Sequence, residues 1–117
     1  MQYLLLIYDD EKKFETMSQA DQQAFSAEYG SFTQAIKTSG HFRSGEALQP
    51  ISTATTVRVK DGKAMTTDGP FAETREQLGG FYLIEAANLD DAIQVAAKIP
   101  STRVGGCIEI RPIMTFG

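Results

Sequence analysis

The apolar positions of this chain fall into two kinds of pattern. Tyr3-Leu4-Leu5-Leu6-Ile7-Tyr8 is a continuous apolar run stopped by Asp9-Asp10-Glu11, and Gly80-Phe81-Tyr82-Leu83-Ile84-Glu85-Ala86 is a second, nearly continuous one. Short runs without alternation predict strands covered on both faces. Between them Phe25, Tyr29, Phe32 and Ile36 recur at spacings of four, three and four, which is one stripe of a helix. Ser18 as N-cap, Asp21 three residues later and Gly40 as a stop predict that helix from about Gln19 to Ser39. Asn88 as a cap, Asp90 and Asp91 in the first turn and Pro100 as a stop predict a second helix, with Leu89, Ile93, Ala96 and Ala97 as its buried stripe.

The remaining segments are shorter. Phe42 to Leu48 reads as extended. Thr55 to Lys60 alternates, Asp61-Gly62 is a two-residue hairpin turn and Lys63 to Thr67 is the returning strand. Cys107 to Arg111 alternates as a last strand, continuing to about Met114. The order strand, helix, strand, hairpin, strand, helix, strand predicts an α+β, ferredoxin-like fold (a split βαβ unit) with an inserted β-hairpin. Two helices cover one face of a four-stranded sheet, yet two strands are apolar on both faces. A second copy is the simplest cover, so the pattern predicts a homodimer with sheets packed face to face.

Composition narrows the function classes. The 117 residues suit one domain, 1–117, able to bury a core without staples. A net charge of −4 with no Lys/Arg cluster argues against direct nucleic-acid binding. The longest apolar run is too short for a membrane span. Cys107 is the only cysteine, which excludes an intrachain disulfide and suits a cytoplasmic location. One histidine and one cysteine give no metal cluster, and no Gly-rich phosphate loop announces a cofactor.

The candidate chemistry centres on the stretch from Asp68 to Glu85. Asp68 is a general base or a turn former before Gly69-Pro70. Phe71 is expected to plug the core beneath that turn. Glu73, Arg75 and Glu76 form either a polar rim, with Arg75 pairing a substrate carboxylate and Glu73 handling a proton, or a solvated ion-paired surface. Gly79-Gly80 permits close approach of a ligand or backbone, or a bulge. Tyr29 directs its hydroxyl into a cleft beside the first helix or sits satisfied in the core. Asp9, Asp10 and Glu11 read as a solvated turn ahead of metal ligands, His41 as a capping or surface residue, Cys107 as a buried inert thiol and Arg103 as a candidate anion contact.

The run Asp68-Gly69-Pro70-Phe71 through Glu73-Thr74-Arg75-Glu76 to Gly79-Gly80-Phe81-Tyr82-Leu83-Ile84-Glu85 resembles the signature of the DGPF family, part of the YCII-related superfamily. Tyr3 to Tyr8, Gly45-Glu46-Ala47-Leu48 and Ile108 to Ile113 resemble it too. The resemblance implies a ferredoxin-like protomer in a dimeric α/β barrel. Related sequences occur near or fused to extracytoplasmic-function sigma factors, and one branch of the superfamily acts in chlorinated-aromatic degradation. Classical members carry a histidine on the first helix and an aspartate after the second. Here Tyr29 and Ile99 occupy the aligned positions, so that pair is not carried over. Two functions follow as expectations. One is a cleft for a small organic ligand built around Tyr29, Asp68, Glu73 and Arg75, with cofactor-free lyase- or dehalogenation-like acid/base chemistry. The other is a non-enzymatic ligand-sensing or protein-interaction module linked to sigma-factor regulation.

Overall fold

The computed structural model describes residues 1–117. The chain runs β1 (Gln2–Asp9), α1 (Glu11–Thr16), α2 (Gln19–Thr38), β2 (Phe42–Ala47), β3 (Thr55–Lys60), β4 (Lys63–Asp68), β5 (Gln77–Glu85), α3 (Leu89–Ala96) and β6 (Cys107–Pro112), with 3-10 turns at Ile51–Thr53 and Pro100–Val104. One sheet has the order β2-β5-β1-β6, every neighbouring pair antiparallel. The β1-α2-β2 and β5-α3-β6 units interleave, each placing a strand between the two strands of the other. This is the ferredoxin-like arrangement.

Local chemistry sets the element ends. The Asp21 N–H donates to Ser18 Oγ at 3.1 Å, starting α2. Gly40, at φ +85°, ends it: the Gly40 N–H donates to the Lys37 carbonyl and the His41 N–H to the Ile36 carbonyl, a Schellman closure. The Asp91 N–H donates to Asn88 Oδ1 at 2.9 Å, starting α3. Asp61 and Gly62 both have positive φ, as a type I′ turn requires.

Three expectations need correction. Asp9-Asp10-Glu11 is more than a solvated turn: Asp10 caps the short helix α1, its carboxylate accepting from the Lys12 N–H at 3.0 Å. In α3 the buried residues are Ala92, Val95 and Ala96, whereas Leu89 and Ile93 stay 50% and 47% exposed. Small side chains bring this helix close to the sheet, and the fully buried Ile99 beyond its end fills the space a larger stripe would occupy. Phe71 plugs nothing; it is 79% exposed beneath the Arg58 guanidinium, 5.8 Å from its ring centre.

The core lies between the helices and one face of the sheet. Leu5 faces Tyr82 and Tyr3 faces Ile84 across the β1–β5 ladder, and all four are buried. The alternate pairs, Leu4 with Leu83 and Leu6 with Phe81, point to the opposite face and remain partly exposed. The β3–β4 hairpin belongs to neither layer. Its strands pair only with each other, and every residue from Val57 to Asp68 is exposed. The radius of gyration is accordingly 16.2 Å, against about 13 Å for a compact chain of this length.

Candidate functional site

Four residues of α2 recur every fourth position on one side: Phe25, Tyr29, Thr33 and Lys37. They form one wall of a cleft of about 580 Å³. The other wall comes from the sheet, chiefly Ile7 and Asp9 of β1, Gly45 of β2, and Gly80 and Tyr82 of β5. Two glycines keep that wall open. A Cβ on Gly45 would stand 2.6 Å from the Tyr82 ring, and one on Gly80 would stand 2.9 Å from the Glu46 carbonyl oxygen. Gly79 supplies the bulge, since Ile7 pairs with Gly80 but Tyr8 pairs with Leu78. The two roles expected of the glycine pair are therefore divided between its members.

At one end of the cleft three polar side chains form a chain of hydrogen bonds. Ser101 donates its hydroxyl hydrogen to Asp9 Oδ2 at 2.7 Å. Ser101 has no second hydrogen, so in its short bond with Tyr29 the tyrosine is the donor. The direction is thus Tyr29 to Ser101 to Asp9. Ser101 is the only fully polar side chain that the fold buries completely. Burial pushes the Tyr29 hydroxyl up to about 12, against the opposing pull of its bond to Ser101 and with help from the Asp9 charge. At the other end Thr33 and Tyr82 share a 2.6 Å hydroxyl bond, and burial raises Tyr82 as well. Lys37 Nζ sits 4.9 Å from the Phe42 ring centre and is the one cation in the lining.

The Tyr29 shift has a measurable consequence. A tyrosine whose folded pKa is raised contributes stability that is intact below its ordinary pKa near 10 and is lost as the pH climbs towards about 12. Tyrosinate absorbance during an alkaline titration should rise late for Tyr29, and Tyr29→Phe should shrink the late rise, which Tyr82 shares. A Tyr29→Phe difference confined to the ordinary tyrosine pKa would contradict the buried placement.

Of the four ligand-binding candidates Tyr29, Asp68, Glu73 and Arg75, Tyr29 alone lines the cleft. Asp68 ends β4 opposite Thr55, and Glu73 and Arg75 lie exposed in the connection to β5. None of these three lines the cleft, so the four do not converge there. Arg103 is engaged by Glu28, with a guanidinium bond of 2.6 Å, on the exposed surface. His41 joins the two helix ends: its Nδ1 meets Ser39 Oγ at 2.7 Å and its Nε2 meets Asp91 at 3.1 Å. The Ala87 N–H, then His41, hold the Asp91 carboxyl below its usual range. Cys107 is exposed, contrary to expectation, and its thiol is raised chiefly by its bond to Glu76. That shift disfavours the reactive thiolate.

Ser101, Thr33 and Lys37 are site residues without a reading from the sequence pattern, and Asp9 reads there only as part of a solvated turn or a metal ligand. The fourfold spacing from Phe25 to Lys37 was a usable signal for two of them. A serine after Pro100 in a connecting turn carries no such signal.

With the fold and cleft in view, comparison with known proteins gives the family. The model of the YCII-related domain matches residues 1–117, and the chain belongs to that family. An uncharacterised protein of Rhizobium meliloti (strain 1021), R00369, is 34% identical over 120 residues, spanning 99% of this chain and 94% of the relative. Among solved structures, the fold is similar to 5-chloro-2-hydroxyhydroquinone dehydrochlorinase (TftG) from Burkholderia phenoliruptrix AC1100, determined in complex with 2,5-dihydroxybenzoquinone. The TM-score is 0.57 with 14% identity, covering 97% of this chain and 94% of that one. At that identity the likeness is one of fold. No helix is long and apolar enough to cross a membrane.

Proposed function

We propose that the cleft binds a small, hydroxylated planar organic molecule and removes a proton from it without a cofactor. The observation that carries this reading is the directed chain Tyr29–Ser101–Asp9 at the wall of an aromatic-lined cavity. A substrate O–H placed against Tyr29 Oη donates to it. Tyr29 passes its own proton to Ser101, and Ser101 passes its proton to the Asp9 carboxylate. The negative charge leaves Asp9 and arrives on the substrate, so no free phenolate forms on Tyr29. Lys37 at the far end of the cleft favours the developing anion.

The dehydrochlorinase of similar fold makes loss of a hydrogen halide from a ring the leading reaction class. In the keto tautomer of a halogenated polyhydroxybenzene, the electrons of the broken O–H bond form a carbonyl. The ring pair shifts, and halide departs with the electrons of its bond to a tetrahedral carbon. No oxidant is required. The test is halide release from a panel of halogenated hydroxyquinols, with isothermal titration of dihydroxybenzoquinones as the binding readout. Ser101→Ala should lower turnover about 100-fold, the scale of one proton-transfer contribution, with ligand affinity little changed. Equal turnover in Ser101→Ala and the parent would refute the relay.

We also propose that the protein is a homodimer. Leu4, Leu6, Phe81 and Leu83 form an apolar centre on the sheet face turned away from the helices. A second sheet is the natural cover for it.

A further inference from the structure

The β3–β4 hairpin is an unsupported ribbon, and a two-stranded ribbon alone in water is marginal. Its two faces differ. Val57 stands opposite Thr66 and Val59 opposite Ala64, giving an apolar, β-branched face, with Val57 and Val59 59% and 70% exposed. Arg58 opposite Met65 and Lys60 opposite Lys63 give a cationic face. These three cations outnumber the hairpin's two acids, Asp61 and Asp68, whereas the whole chain carries a charge of −4. The hairpin is therefore net basic within an acidic protein.

The matching surface is a second groove, of about 410 Å³, beside α1. Phe14, Met17 and Leu48 give it an apolar floor, and Asp10, Glu11 and Glu15 an acidic rim. Lys13, the one cation in its lining, has its Nζ turned against Gly105. Phe14 and Leu48 are 40% and 48% exposed, so the floor is uncovered within one copy. We propose that the hairpin of one copy docks in the acid-rimmed groove of a second copy, and does so reciprocally. The proposal rests on the homodimer reading given above. Its apolar face meets the floor and its cations meet the rim. A single chain carries both halves, which a two-fold axis satisfies together. The groove shares Asp9, Phe14, Phe25, Leu48 and Gly79 with the cleft, so the docked hairpin also supplies the outer wall of the neighbouring cleft.

The test combines light scattering with hydrogen exchange on the full chain. The parent should be a dimer whose β3–β4 amides exchange slowly, with protection falling on dilution to monomer. Arg58→Glu/Lys60→Glu/Lys63→Glu should raise the dimer Kd about tenfold or more, the sum of several surface pairs. Adding Glu15→Lys should recover part of that loss. Val57→Lys/Val59→Lys, on residues that are mostly exposed in the protomer, should weaken the dimer while leaving the circular dichroism unchanged. A dimer indifferent to both hairpin variants would overturn the docking and leave the homodimer standing. A parent that is monomeric at every concentration would overturn both.

Discussion

Gly106→Ala is expected to cost about 3 kcal/mol, at the upper end of the range for forced overpacking. A Cβ at this position would lie 2.5 Å from Asp9 Oδ1, 2.7 Å from the Tyr8 carbonyl oxygen and 2.9 Å from the Ser101 carbonyl oxygen. Two of those three atoms are backbone and cannot swing aside. The third is the carboxylate at the end of the Tyr29–Ser101–Asp9 chain. The Gly106 N–H donates to the Ser101 carbonyl at 2.8 Å, so moving the residue also displaces the serine. Denaturant unfolding should show the loss of stability, and the alkaline titration of Tyr29 should shift in the same variant. A variant as stable as the parent, with Tyr29 unmoved, would mean that the β6 entrance sits further from β1 than described.

Leu5→Ala should be comparably severe, about 2–5 kcal/mol for a fully buried leucine. Leu5 has no exposed surface and lies in β1, a central strand, opposite Tyr82 on one side and Ile110 on the other. Domains of this kind hold about 5–15 kcal/mol in total, so the variant should unfold at a much lower denaturant concentration. Leu89→Ala is the control. Sequence periodicity puts Leu89 in the buried stripe of α3, but it is half exposed, and its loss should cost well under 1 kcal/mol. Chemical denaturation of the pair separates the two placements: equal losses would restore the stripe predicted from the sequence.

The contrast between Leu5 and Leu89 indicates what sequence patterns can reveal. Continuous apolar runs mark β1 and β5 because a central strand can bury side chains on both of its faces. Caps at Ser18 and Asn88 fixed the helix starts because a side-chain oxygen there satisfies an otherwise unpaired N–H. The rotation of α3 was illegible, since it depends on how closely Ala92 and Ala96 let the backbone approach. The cleft was half legible. Tyr29 was found because its helix face was readable. Asp68, Glu73 and Arg75 are neighbours along the chain, yet none of them lines the cleft. The pairing of Asp9 with Ser101 was illegible for the converse reason: a reading along the chain has no measure of distance between its two ends.

The hydrogen-bonded chain in the cleft joins residues 72 and 92 positions apart, Tyr29 with Ser101 and Ser101 with Asp9. Its three members belong to the end of β1, the middle of α2 and the turn beyond α3. Contacts of such long range are the last to be rewarded as a chain orders, because every intervening loop must close first. No partly folded form that lacks the C-terminal βαβ unit can hold the proton path. The same holds for a nascent chain that has not yet released residue 101. Loss of function should therefore coincide with the first cooperative step of unfolding and precede none of it, and the ionisation of Tyr29 becomes a spectroscopic clock for completion of the fold.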